Sequence, residues 1–137
     1  MSGGGQPAAS GKKEILLIED EESVRQMVTK ILLKNNFGVR EAVDGLDGLR
    51  QIDVQHPDLI ITDVMMPNLD GLTLVKALKR HRETKAIPVI FLTAKGDARS
   101  MIEGINVGAK YYVPKPFQMD DLLSKVGKVL GDRGLRM

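Results

Sequence analysis

Short apolar runs and helical patterns alternate five times along the chain. The runs are rich in isoleucine, leucine and valine, and they occur near residues 14–19, 38–42, 58–63, 87–92 and 111–114. The first, third and fourth are almost continuously apolar, which is typical of parallel strands that are covered on both faces. The second and the fifth are shorter and more polar, which predicts positions at the edges of the sheet.

Each predicted strand is followed by a stretch with the apolar spacing of a helix. Between Glu22 and Lys34, for example, apolar side chains recur at intervals of three and four residues. The predicted helices cover about residues 22–34, 45–54, a stretch beginning after Gly71, 97–107 and 119–130. Strands that alternate with helices predict right-handed βαβ units, so the expected fold class is α/β with a doubly wound, five-stranded parallel sheet.

The two ends of the chain lack this pattern. Residues 1–13 are rich in Gly, Ala and Ser, and residues 132–137 contain Gly and Arg, so we expect a flexible segment at the N-terminus and a flexible tail at the C-terminus. A single domain over residues 14–131 lies between them. The chain has 137 residues, which is long enough for one full hydrophobic core.

Charge and composition exclude several classes of function. The formal net charge is +2 and several cations lie near the ends, so a clustered basic face is missing and we expect no direct nucleic-acid binding. The chain has no cysteine, which excludes disulfides and cysteine-based metal sites. No apolar run approaches the roughly 18 residues of a membrane span, so we expect no membrane insertion and a cytoplasmic location.

Polar side chains stand where the apolar runs end. Glu19 and Asp20 follow the first run, Asp63 ends the third, Thr93 follows the fourth, and Lys115 follows the fifth. Open α/β sheets bind ligands beyond the carboxyl ends of their strands. Three acids, a hydroxyl and a lysine at that edge predict a metal-assisted phosphoryl-transfer site.

The three acids also predict a cation. If the first and third strands are neighbours, Glu19, Asp20 and Asp63 converge, and each pair of carboxylates about 4 Å apart costs roughly 4 kcal/mol at an effective dielectric of 20. A cation or a proton must compensate this repulsion. Oxygen ligands without cysteine or a nearby histidine favour Mg²⁺ or Mn²⁺ over zinc.

Several of these residues also have an ordinary structural interpretation. The acids at positions 20–22 suit the start of the first helix, and Asp44 and Asp70 suit helix N-caps. Thr93 suits an N-cap or a sheet edge. Helix capping does not explain Asp63, because a loop and not a helix follows it directly.

Taken in order, these motifs resemble the receiver domain of two-component response regulators, the CheY-like family. The resemblance covers about residues 13–131, and it implies a flavodoxin-like (βα)5 fold with strand order 2-1-3-4-5. Each motif is weak by itself, but the order and the spacing together are specific. The matching motifs are Glu19-Asp20-Glu21, Asp63 with Met66-Pro67 and Asp70-Gly71, Thr93-Ala94, Gly108-Ala109 and Lys115-Pro116-Phe117.

The resemblance implies a metal and a phosphorylated residue. Asp63 would accept the phosphoryl group of a phosphohistidine, carried by a sensor histidine kinase or a phosphotransfer protein. Asp20 would bind Mg²⁺ directly and Glu19 through water, while Asp63 and the backbone carbonyl of Met65 would complete the protein ligands.

It also implies a switch. Thr93 would hydrogen-bond to a phosphoryl oxygen, and Lys115 would form an ion pair with the same group through a side chain aimed by a cis Lys115–Pro116 bond. Tyr112 would turn inward when Thr93 moves. The fourth helix, fifth strand and fifth helix would form the face that binds a downstream protein.

Two positions depart from the commonest pattern of the family. Glu19 stands where Asp is more frequent, which lengthens one arm of the metal site. Lys110-Tyr111 stands where the DNA-binding subgroup with a winged-helix output typically has acids. The second departure argues against dimerisation through the salt-bridged face of that subgroup.

The leading prediction is a signalling module that is not an enzyme, because it catalyses only its own phosphoryl transfer and autodephosphorylation. A small phosphatase with an aspartyl nucleophile is an alternative, but it commonly needs a second acid where this chain has Met65. A constitutive interaction domain with a decayed site is another. The sequence leaves open the kinase, the target, the oligomeric state, the dephosphorylation rate and whether the chain is part of a longer regulator.

Overall fold

The computed structural model describes residues 12–94, 102–103 and 105–131. The strands are β1 (Glu14–Ile18), β2 (Gly38–Ala42), β3 (Leu59–Asp63), β4 (Val89–Ala94) and β5 (Tyr111–Lys115). The helices with full bounds are α1 (Glu22–Lys34), α2 (Gly45–Val54), α3 (Gly71–Lys79) and α4 (Met119–Leu130). Helix α4 is therefore the one predicted as the fifth.

Two predicted segments fall wholly or partly outside the described residues. Of the helix predicted over 97–107, residues 102, 103, 105 and 106 are helical, and most of the remainder lies outside the description. The two predicted flexible ends, 1–13 and 132–137, lie almost entirely outside it, so their flexibility stays a prediction. No helix of the described part of the chain is long and apolar enough to cross a membrane.

The sheet is parallel, and its order is β2-β1-β3-β4-β5. This confirms the predicted doubly wound topology, with β2 and β5 at the edges. The chain reverses its direction of progress across the sheet between β1 and β3, which pair from Ile15 with Leu59 to Ile18 with Thr62. Because both strands run the same way, the residues that follow them meet at one edge of the sheet.

The continuous apolar character of β1 follows from a layer of helices on each face of the sheet. Ile15 and Leu17 belong to the core that is packed against α1 and α4. Leu16 and Ile18 belong to the core on the other face, with α2 and α3. Successive side chains of a strand point to opposite faces, so a strand that is covered on both sides has no polar alternation.

The N-termini of the helices show which of the candidate acids cap a helix and which do not. Asp44 caps α2 by accepting a hydrogen bond from the Asp47 amide at 2.8 Å, and Asp70 caps α3 through the Thr73 amide at 2.7 Å. The N-cap of α1 is Glu21, and its side chain makes no capping hydrogen bond. The capping interpretation is therefore confirmed for Asp44 and Asp70 and is wrong for the side chain of Glu21.

Candidate functional site

The three acids that end β1 and β3 come together. Glu19, Asp20 and Asp63 each offer a carboxylate oxygen, and these oxygens lie within 4.8 Å of one another. Glu19 is fully buried and Asp63 is buried, whereas Asp20 is exposed. The cluster therefore has a buried floor and opens to solvent on the side of Asp20.

Lys115 joins two of these acids from the far edge of the sheet. Its Nζ lies 2.9 Å from Glu19 Oε1 and 2.9 Å from Asp63 Oδ2. Burial by itself would lower the pKa of Lys115, but its hydrogen bonds with Asp63 and Glu19 outweigh that effect, and the pKa is raised. The ammonium is thus held in its charged form between two carboxylates. The Lys115–Pro116 peptide bond is cis, as the resemblance implies.

Glu19 is the acid whose negative charge is least well balanced by its surroundings. Burial raises the pKa of its carboxyl group, and the nearby charge of Asp63 adds to the rise, against the lowering effect of Lys115. Its Oε2 accepts a hydrogen bond from the Glu21 amide at 3.1 Å. Arg25 donates a hydrogen bond at 2.8 Å to the backbone carbonyl of Glu19, and this bond does not involve the Glu19 carboxylate.

The donor set of the cluster fits a hard divalent cation. Three carboxylates and one ammonium leave a formal charge of −2. Carboxylate oxygens are the ligands that Mg²⁺ and Mn²⁺ prefer. Met65 follows in the loop after β3, and its side chain is 67% exposed. Its thioether is a soft ligand that does not suit Mg²⁺, so the group that Met65 would offer is its backbone carbonyl.

Thr93 is the penultimate residue of β4 and lies beside the acids, because Leu92 pairs with Asp63 in the sheet. The residue is 1% exposed, and its hydroxyl has no hydrogen-bond partner among the described residues. A buried polar group without a partner costs about 1–3 kcal/mol, so such groups are few in native proteins and each calls for an explanation. The alternative that Thr93 is a sheet-edge residue is wrong, since the side chain is buried in an inner strand of the sheet. Residues 95–101, which would begin the next helix, lie outside the described part of the chain, so the alternative that Thr93 is an N-cap stays a prediction.

Tyr112 lies with its ring turned inward. The ring packs against Phe91 with centroids 5.6 Å apart and planes at 52°, and the hydroxyl oxygen is buried. The side chain contacts the core on the face of α2 and α3. Tyr112 and Thr93 come from neighbouring strands, because Phe91 pairs with Tyr112 and Thr93 pairs with Pro114.

The loop between β3 and α3 makes contacts that the sequence did not predict. Asn68 donates to Asp44 Oδ2 at 2.5 Å, and Gly45 lies so close to Leu69 that an added Cβ would stand 2.2 Å from the Leu69 carbonyl oxygen. Asn68 has a φ of 71°, in the left-handed region where asparagine is enriched. The Asn68-Leu69-Asp70-Gly71 sequence signals a turn, but nothing local in it points to Asp44.

Comparison with known proteins gives a consistent result. A family model for the response regulator receiver domain matches residues 15–127. The phosphate regulon transcriptional regulatory protein PhoB of Escherichia coli (strain K12) is 37% identical over 118 residues, which are 86% of this chain and 52% of that protein. The DNA-binding dual master transcriptional regulator RpaA of Synechocystis is 37% identical over 116 residues, which are 85% of this chain and 48% of that protein. The chain thus spans about half the length of these relatives.

Solved structures agree with the fold. A putative response regulator from Chloroflexus aurantiacus superposes with a TM-score of 0.84 at 36% identity, over 88% of this chain and 99% of that one. The chemotaxis response regulator CheY4 of Vibrio cholerae gives 0.80 at 33% identity, over 86% of this chain and 98% of that one.

The prediction about partners is wrong where it excluded nucleic-acid binding. We expected no nucleic-acid binding because the net charge of the chain is only +2. The relatives, however, are transcriptional regulators, and RpaA is described as DNA-binding. The net charge of this chain says nothing about the parts of the relatives that it does not cover, which are about half of each.

The buried acids, the lysine between them and the family match lead to the same conclusion. Receiver domains are signalling modules and, in general, not enzymes, which agrees with the absence of a second acid at Met65. The chain belongs to the response regulator receiver domain family of two-component signalling.

Proposed function

We propose that this receiver is controlled by phosphorylation of Asp63 by a phosphohistidine partner, with Mg²⁺ bound by Glu19, Asp20, Asp63 and the Met65 carbonyl. The partner would be a sensor histidine kinase or a phosphotransfer protein. The observation that carries the proposal is the Lys115 ammonium, which lies 2.9 Å from both Asp63 and Glu19 inside the acidic cluster. An isolated buried acid would need neither the lysine nor two further carboxylates.

In the proposed reaction, Asp63 is the nucleophile. The bond between phosphorus and the imidazole nitrogen breaks as a bond between phosphorus and a carboxylate oxygen of Asp63 forms, so the imidazole leaves and no proton is taken from Asp63. Lys115 donates a hydrogen bond to Oδ2 at 2.9 Å, which restricts the orientation of the carboxylate. When bound, Mg²⁺ would supply positive charge to the phosphoryl oxygens.

Lys115 and Thr93 would contact the phosphoryl oxygens, Lys115 through its charge and Thr93 through a hydrogen bond. Phosphoryl transfer passes through a loose transition state with charge on the equatorial oxygens, so catalysis depends mainly on alignment and on nearby positive charge. Lys115 provides that charge directly beside Asp63. The Thr93 hydroxyl is buried and has no partner within the described chain, so it can donate to a phosphoryl oxygen without losing another bond.

The first test is whether Asp63 is phosphorylated. With Mg²⁺ and an acyl phosphate donor, we expect intact-mass spectrometry to detect one added phosphoryl group on the wild type and none on Asp63→Asn. Asp70→Asn is a matched control, because Asp70 caps α3 outside the cluster and asparagine caps a helix equally well. An unchanged wild-type mass under conditions where Mg²⁺ binding has been demonstrated would refute the proposal.

Two further proposals rest on the comparisons. We infer that residues 14–131 form the receiver domain, because the family match covers 15–127 and α4 ends at Leu130. We also infer that the output is control of transcription, because PhoB and RpaA are transcriptional regulators. A reporter gene whose transcription depends on this protein should respond to Asp63→Asn; an unchanged signal would contradict the second inference.

A further inference from the structure

We propose that Asp44 and Asn68 form a positioning pair that holds the β3–α3 loop, residues 64–70, in its metal-binding conformation. This inference rests on the proposed function, because it concerns the loop that carries the Met65 carbonyl. Neither residue belongs to the acidic cluster, and neither is proposed to contact the metal. They would act through the backbone of the loop.

Hydrogen bonds at the start of α2 fix the carboxylate of Asp44 in the position where it contacts the loop. Its Oδ1 accepts the Asp47 amide at 2.8 Å, which anchors the carboxylate to the first turn of α2. Asp47 in turn accepts a hydrogen bond from the Val43 amide at 3.0 Å, so the residues on either side of Asp44 are tied together. The second oxygen, Oδ2, is then directed at Asn68, whose amide nitrogen lies 2.5 Å away.

The loop is anchored at its ends by backbone hydrogen bonds, and the partly buried side chains of Met66 and Leu69 pack against the core on the face of α2 and α3. The Val64 amide donates to the Leu92 carbonyl at 3.0 Å, and the Gly71 amide donates to the Val64 carbonyl at 2.8 Å. For residues 65–68, the Asn68–Asp44 bond is the hydrogen bond that reaches another element, as far as the described residues extend. This bond therefore links the part of the loop that contains Met65 directly to the start of α2.

A steric contact supports the same arrangement. Leu69 follows Asn68, and its carbonyl oxygen lies against Gly45, which follows Asp44. An added Cβ on Gly45 would stand 2.2 Å from that oxygen, a distance that real Cβ atoms do not adopt. The start of α2 and the loop are thus in contact through two consecutive residues on each side.

The geometry at Asn68 allows a variant that removes only the hydrogen bond. Asn68 has a φ of 71°, which glycine adopts without strain, so Asn68→Gly deletes the side chain and keeps the backbone conformation accessible. Asn36 provides a matched control, because it is the other described non-glycine residue with positive φ, at 70°. It lies between α1 and β2, at the opposite end of the sheet from the acids.

The measurement is the dissociation constant of Mg²⁺, obtained by following backbone amide shifts during a Mg²⁺ titration. Because Asn68→Gly loses a hydrogen bond to a charged group at an exposed site, we expect it to weaken Mg²⁺ binding about threefold to tenfold. Asn36→Gly should leave the constant unchanged. At saturating Mg²⁺, the rate of phosphorylation of Asn68→Gly should return close to that of the wild type.

A second variant tests the same bond from the other side. Asp44→Ser keeps an N-cap residue for α2 but is too short to reach Asn68. We expect it to weaken Mg²⁺ binding by a similar factor, and the double variant Asp44→Ser/Asn68→Gly to be no weaker than either single one, since both remove one interaction. Independent, multiplying effects would overturn the inference that the two residues act as a pair.

The outcomes separate this inference from the proposed function. If the wild type binds Mg²⁺ and is phosphorylated while Asn68→Gly has an unchanged dissociation constant, the positioning inference is wrong and the proposed function stands. If Asn68→Gly and Asn36→Gly weaken Mg²⁺ binding equally, the effect belongs to general backbone flexibility and the inference is again wrong. If the wild type neither binds Mg²⁺ nor is phosphorylated, both are overturned.

Discussion

At the scale of single residues, the site is a balance between one cation and several acids. Lys115 contacts Glu19 and Asp63 at the same distance, 2.9 Å, so its removal leaves two buried carboxylates without their counter-ion. Breaking a buried ion pair by removing one partner is more costly than the pair itself is stabilising. The residue therefore contributes to folding as well as to the proposed chemistry.

Removal of Lys115 should destabilise the metal-free protein. We expect Lys115→Ala to lower the free energy of unfolding by about 1–3 kcal/mol, because two buried acceptors lose a charged donor. Lys125→Ala is the control: Lys125 pairs with the half-exposed Asp121 one helical turn away, and such pairs contribute about 0.3–0.5 kcal/mol. Urea denaturation measures both. Equal losses of unfolding free energy would mean that removing Lys115 from its buried carboxylates costs no more than breaking an exposed pair.

Glu19 should give the site a distinctive pH dependence. Its pKa is raised above the ordinary 4.5, so on acidification the folded state takes up a proton before the unfolded chain does. The free energy of unfolding of the wild type, relative to Glu19→Gln, should therefore rise as the pH falls through the raised pKa towards 4.5, and level off below it. Denaturation without Mg²⁺ at several pH values tests this; a difference that falls with acid would contradict it.

At the scale of elements, the site depends on how closely α3 approaches β3. An added Cβ on Gly71, the first residue of α3, would stand 2.2 Å from the Asp63 carbonyl oxygen and 3.1 Å from the Phe91 ring. The helix can start at this place only with glycine there. The same close approach brings α3 directly behind the strand that carries the proposed nucleophile.

Substitution of Gly71 should therefore be costly. We expect Gly71→Ala to lose about 1–3 kcal/mol of unfolding free energy, since a backbone carbonyl cannot move aside. Gly48→Ala, in the middle of α2, should cost less, because its Cβ would meet the Ile18 Cδ1 methyl at 2.5 Å, and a side-chain end can rotate away. Thermal denaturation compares the two. A larger loss for Gly48→Ala would show that the Gly71 contact relaxes easily.

At the scale of the whole molecule, the site connects β1, β3 and β5, that is, residues far apart in the chain. A ligand that binds there only in the folded state must stabilise the fold as a whole. This makes stability a measure of metal binding that does not depend on any phosphorylation assay.

Mg²⁺ should stabilise the wild type and not a variant that lacks its exposed ligand. At a concentration 100 times the dissociation constant, binding adds about 2.7 kcal/mol to the free energy of unfolding. We expect Asp20→Asn to lose most of this gain while its metal-free stability is little changed, since Asp20 is exposed. Glu22→Gln, at the exposed start of α1, is the control. An equal Mg²⁺ effect in both variants would exclude Asp20 from the metal site.

The sequence alone predicted the order of the elements, the parallel sheet and the identity of the acids at its edge. It could do so because the period of the apolar pattern is local, and because the polar residue that ends each strand is adjacent to it in the chain. The family motifs added the strand order. Net charge gave a wrong expectation about nucleic acid, because it describes only the residues counted and these match about half of the DNA-binding relative.

The contacts between these side chains are set by the three-dimensional fold. Lys115 and Glu19 are 96 residues apart, and Asp44 and Asn68 are 24 apart, so their contacts depend on strand register and on the start of α2. The buried hydroxyl of Thr93 is likewise a result of packing, because the strand pattern alone does not reveal which polar side chain lacks a partner. Periodicity fixes each element, whereas contacts between elements are set by distances that no local pattern encodes.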